Sequence, residues 1–219
     1  MSKSENKLEN NPTNLATLTY IYYVKGKLAE NADKASALKD YKKAVDKYER
    51  LKTQFKSPVE LFKLDLNILY NGNADIVAAL YRQLKKIDNS NTLYAQSLKE
   101  HLLNELDYLM REKIWREVDE KLWPFILTLA GREDSLGEFD FKKFKCEDLK
   151  QLDKLWVDNF QVHFDYESLR RVLETKAVPL QDFGGLEGFN IDAEAEDFLT
   201  LATYNYLAMR NWDCIIKGF

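Results

Sequence analysis

Residues 34–55 read KASALKDYKKAVDKYERLKTQF, and the placement of apolar side chains in this stretch decides the fold class. Leu38, Tyr41, Val45, Tyr48, Leu51 and Phe55 recur every three or four residues, the period that lines one face of an α-helix. The lysines fall between them and make a charged outer face. The spacing therefore predicts a long amphipathic helix. Composition agrees: 8 Gly and 4 Pro in 219 residues leave little material for hairpins.

Upstream, Leu15, Leu18, Ile21 and Tyr22 keep helical spacing behind Asn14, an expected N-cap, with a polar break at residues 30–34. These two helices are expected to pair antiparallel. Downstream, Ser57, Pro58 and Glu60 have the form of a capping box with proline in the first turn, predicting a third helix to Tyr70. Asn71, Gly72 and Asn73 predict a turn. Ile76, Val77, Leu80 and Leu84 mark a fourth helix ending near Asp88, and Leu98, Leu102, Leu106 and Leu109 a fifth, reaching about Met110. The stretch from Tyr22 to Tyr48 is similar to one tetratricopeptide unit, but such arrays need about three units to close a core, so a plain bundle is expected.

The second half is richer in aromatics. Trp115, Val118, Leu122, Phe125 and Ile126 predict a helix over 114–129, kinked or broken at Pro124. A loop follows over 131–145, then a helix carrying Leu149, Leu152, Leu155 and Trp156, with Glu147 and Asp148 suiting its positive N-terminal end. Tyr166, Leu169, Val172 and Leu173 mark another helix. Gly184, Gly185 and Gly188 punctuate an apolar loop, and a closing helix is expected from about Asp192 to Met209. The chain divides as a disordered tail at 1–13, an N-terminal helical bundle at 14–104 and a second helical domain at 105–219, an all-α architecture.

Several functions are excluded. With 32 Lys and Arg against 36 Asp and Glu, the net charge is -4, without the basic field that binds a nucleic acid backbone. No apolar run approaches the roughly 20 residues of a membrane span, and the opening residues match neither signal nor transit peptide, so a cytoplasmic protein is expected. Two cysteines far apart, Cys146 and Cys214, and two histidines, His101 and His163, make neither a disulfide framework nor a four-ligand zinc site. Cys146 is expected as a small buried residue. Asp119, Asp148 and Asp153 have no accompanying base or nucleophile, and Gly131 and Gly137 lack the Gly-Lys-Ser/Thr ending of a phosphate loop. No catalytic signature is present.

Four short motifs occur in order in the second half: Trp115-Arg-Glu-Val-Asp119, Phe144-Lys-Cys-Glu-Asp-Leu149 with Asp153-Lys-Leu-Trp156, Phe164-Asp-Tyr166, and Phe183-Gly-Gly-Leu-Glu-Gly-Phe189. Over residues 106–189 this order resembles the tetrapyrrole-binding domain of the genomes-uncoupled-four family. The resemblance implies a cupped-hand helical domain, noncatalytic, that holds protoporphyrin IX or magnesium protoporphyrin IX and regulates magnesium chelatase through its large subunit in chlorophyll biosynthesis. A flat apolar macrocycle needs aromatic and aliphatic walls and a cation for its propionates. Phe160, Phe164, Tyr166, Phe183, Leu186 and Phe189 are the candidate walls, Arg170 and Arg171 the candidate propionate partners, and His163 lies beside them. The chain departs from the family at Lys145, at residues 159–163, at Asp165, Glu167 and Phe189, and beyond Phe189. The alternative expectation is therefore a protein-interaction or signalling scaffold of the same fold without the pigment.

Overall fold

The structure, a computed structural model, describes residues 11–63, 69–71, 74–133, 136, 140–161 and 214. The chain is predominantly helical and divides into two compact units, Met1–Tyr108 and Leu109–Phe219. Among the described residues there are six α-helices: α1 (Pro12–Ala29), α2 (Lys34–Lys52), α3 (Ile76–Ile87), α4 (Leu93–Arg111), α5 (Trp115–Ala130) and α6 (Cys146–Phe160). None is long and apolar enough to cross a membrane.

In the first unit, α1 is capped by Asn11, whose side-chain oxygen accepts the Thr13 amide at 2.8 Å, with Pro12 in the first turn. Asn14, expected as the cap, instead lies inside the helix. Proline has no amide to satisfy and a φ already suited to helix entry, so the helix starts at Pro12. Asp33 caps α2 by accepting from the amides of Ala35 and Ser36. The pairing of α1 with α2 runs in opposite senses: Tyr41 reaches Glu30, while Lys43 lies over the Tyr22 ring. Of the stripe predicted from spacing, Tyr41, Tyr48 and Leu51 are buried, whereas Leu38 and Val45 are half-buried, Phe55 lies past the end of α2, and Ala37 and Ala44 complete the buried face.

The described residues between Ser57 and Tyr70, 57–63 and 69–70, do not form the expected third α-helix. A 3-10 segment occupies Pro58–Lys63, and the Glu60 carboxylate reaches back one residue further than a capping box, accepting the Lys56 amide at 3.1 Å. Tyr70 and Asn71 form β1, which pairs antiparallel with β2 (Ala74–Asp75), Asn71 opposite Ala74 and Tyr70 opposite Asp75. The Ile76 amide donates to the Leu69 carbonyl. Backbone groups that a helix would have satisfied internally are used instead to close this tight reversal and launch α3.

In the second unit, Pro124 does not break α5, which runs six residues further to Ala130. A proline removes one amide donor, and the burial of Leu122, Phe125 and Ile126 on the inward face outweighs that loss. The helix ends at Gly131 with φ 70°, and the amides of Gly131 and Arg132 donate to Thr128 and Leu127, the Schellman arrangement that favours glycine. The following loop is pinned by Asp140, 1% exposed, which accepts Arg132 Nε at 2.7 Å and also pairs with Lys143. Leu149, Leu152, Leu155 and Trp156 of α6 are buried as expected. Cys146 is disulfide-bonded to Cys214; the expectation of no disulfide is corrected. Sequence distance does not limit a crosslink; what counts is approach of the backbones, here 5.3 Å between Cα atoms, within the range a disulfide spans.

Candidate functional site

The most concentrated polar chemistry in the described residues lies in the first unit, around His101 of α4. Local structure explains how its partners arrive. Asp75 ends β2 and caps α3: its Oδ1 accepts the Ala78 amide at 2.9 Å, which satisfies a free first-turn donor and fixes the carboxylate. The second oxygen, Oδ2, lies 2.8 Å from His101 Nε2. On the other side of the ring, Tyr48 of α2 places its hydroxyl 3.0 Å from His101 Nδ1. Glu105, one turn along α4, completes a group in which one donor atom each from Asp75, His101 and Glu105 lies within 4.8 Å of the others.

The surroundings are largely dry. The His101 and Asp75 side chains are 2% and 7% exposed, and Glu105 is buried. Aromatic rings enclose the imidazole: Tyr48 edge-on at 5.9 Å and Phe62, from the 3-10 segment, at 5.7 Å. Phe62 in turn stacks on Tyr108 at 5.8 Å. A cavity of about 10 Å³ opens beside the ring between Tyr48, Phe62, Lys52 and Asn104, room for about one water molecule. It is far below the several hundred Å³ that a flat organic ligand needs.

A carboxylate accepts only, so the hydrogen bond to Asp75 places a proton on His101 Nε2. Nδ1 faces the Tyr48 hydroxyl, a group that can donate to it or accept from it. The same unit holds other phenols neutral. Burial raises the Tyr81 hydroxyl above its ordinary pKa, helped by the Glu49 carboxylate that accepts its hydrogen bond at 2.8 Å. Burial likewise raises Tyr41, with the Glu30 carboxylate adding to the effect.

None of the residues expected to hold a tetrapyrrole belongs to this group. The backbone of Phe160 closes α6, while its side chain and His163, Phe164, Tyr166, Arg170, Arg171, Phe183, Leu186 and Phe189 lie outside the described residues. Of the motif residues that are described, Phe144, Leu149 and Trp156 are core.

The site around His101 was missed from the sequence, although a signal existed. His101 and Glu105 sit within the Leu98–Leu102–Leu106 stripe, and polar residues on an apolar helix face need buried partners. Asp75 carried no such mark. Compared with family models, curated proteins and solved structures, the chain matches none.

Proposed function

We propose that this chain is a noncatalytic helical binding protein whose second unit holds a tetrapyrrole, protoporphyrin IX or its magnesium form, and regulates magnesium chelatase. One observation carries the reading: four short motifs stand in the family's order between Trp115 and Phe189. The noncatalytic part is what the same resemblance implies.

The test is titration of the purified protein with deuteroporphyrin IX and magnesium deuteroporphyrin IX, followed by tryptophan quenching and the Soret band. Saturable binding, weakened at least tenfold by Phe183→Ala with Phe189→Ala, is the expected result. Unchanged fluorescence and Soret band at micromolar pigment would remove the ligand.

The second reading is an interaction scaffold without pigment, and α1 favours it. Ile21, 40% exposed, and Leu28, 79% exposed, lie two turns apart on one side of that helix, with Tyr20 beside them. Such an apolar surface suits a protein partner. Co-elution with the chelatase large subunit that survives without pigment but is lost in Ile21→Glu with Leu28→Glu would select this reading over the first.

A further inference from the structure

We propose that Asp75, His101 and Glu105 form a binding site for one divalent transition-metal ion of the zinc type. The site lies in the first unit and does not depend on the tetrapyrrole reading.

The donor set comes first. One imidazole nitrogen and two carboxylate oxygens suit zinc and its first-row neighbours, whereas calcium and magnesium prefer oxygen-only shells of six or more ligands. With zinc bonds of roughly 2.0–2.2 Å, ligand atoms on a tetrahedral ion stand about 3.4 Å apart. The Asp75 Oδ2 to His101 Nε2 separation, now a hydrogen bond of 2.8 Å, must open by about 0.6 Å. All three ligand atoms lie within 4.8 Å of one another, so Glu105 must close on the pair by at most about 1.4 Å, within the swing of a glutamate side chain.

The outer contacts are those of a held ligand set. A ligating carboxylate is usually braced through its second oxygen, and a ligating histidine through its other nitrogen. Asp75 Oδ1 is braced by the Ala78 amide and His101 Nδ1 by Tyr48. Binding requires the ring proton to leave Nε2. With the ring proton on Nδ1, that nitrogen donates to the Tyr48 oxygen, and the free electron pair on Nε2 makes the metal bond. The fourth position falls to a water.

The experiment uses the full chain with its disulfide intact, stripped with chelator and dialysed. Zn²⁺ binding is measured by calorimetry and elemental analysis, and Co²⁺ substitution by visible absorption. The expected result is one ion per chain, with affinity lowered at least a hundredfold by His101→Ala and about 10- to 100-fold by Glu105→Gln and by Tyr48→Phe. His163→Ala is expected to leave it unchanged. Glu105→Gln and Tyr48→Phe keep side-chain shape, so they decide the matter if His101→Ala fails to fold. Stoichiometry well below one, or affinity and Co²⁺ spectrum unaltered in the two shape-preserving variants, overturns the proposal. Loss of porphyrin binding alone leaves it standing.

Discussion

Replacing Gly26 by alanine pits two opposite effects against each other. On an isolated helix the change stabilises by about 1 kcal/mol, because alanine gives up less backbone freedom than glycine. Here a Cβ at position 26 would stand 2.5 Å from both Cδ1 and Cε1 of Tyr41 and 2.9 Å from Cζ. Ordinary carbon contacts lie at roughly 3.5–4.0 Å, so about 1 Å must be found. The obstacle is the body of a ring, fully buried, with its hydroxyl tied to Glu30 at 3.2 Å. Either α1 lifts from α2 or Tyr41 leaves its position. Overpacking of this kind costs about 1–3 kcal/mol, so after the propensity gain the net expectation is a loss of up to about 2 kcal/mol. At roughly 4–8 °C per kcal/mol for a domain of 60–100 residues, the melting temperature of the first unit should fall by up to about 16 °C. Thermal and urea unfolding followed by far-ultraviolet circular dichroism measures this directly. In a Tyr41→Leu background the penalty should largely vanish, giving a coupling of about 1–3 kcal/mol. A Gly26→Ala protein more stable than wild type, or a penalty of equal size in both backgrounds, would falsify the close approach of α1 to Tyr41.

Further outcomes follow from other contacts. Cys146→Ser opens a loop of 68 residues, and the chain-entropy relation sets the loss at about 4 kcal/mol; two thiols reacting in denaturant without reductant would contradict the pairing. Asp75→Ala removes both the α3 cap and the His101 partner and should cost about 2–3 kcal/mol, whereas Asp75→Asn keeps a capping oxygen and should cost less; equal losses in urea titrations would rule out the capping role. In alkaline solution, Tyr41 and Tyr81 have folded-state pKa values raised above the ordinary 10.0, so the unfolded chain loses these protons first. Their contribution is fully present below about pH 10 and declines above it, by up to about 1.4 kcal/mol per pH unit for each tyrosine. Tyr41→Phe with Tyr81→Phe should flatten that decline in urea midpoints measured across the alkaline range, and an unchanged slope would refute the assignment.

The sequence by itself determined the helical class and most of the helices. The stripes at Tyr41, Tyr48 and Leu51, at Val77, Leu80 and Leu84, and at Leu149, Leu152 and Trp156 are periodic because each helix must turn one face to a core, and that requirement is written locally. Local rules competed where several candidates stood close together. Asn11 with Pro12 outranked Asn14 as the start of α1, and the capping signal at Ser57 yielded a 3-10 segment, while Tyr70 and Asn71 joined a strand pair. The functional reading from the second half rests on motif order alone, since its candidate walls lie beyond the described residues. Tertiary structure alone decided which distant residues share a neighbourhood. Tyr48, Asp75, His101 and Glu105 come from α2, β2 and α4, and Cys146 meets Cys214 across 68 positions. Periodicity reports which face of an element is buried, but the partners of a buried polar group are chosen by how the elements pack.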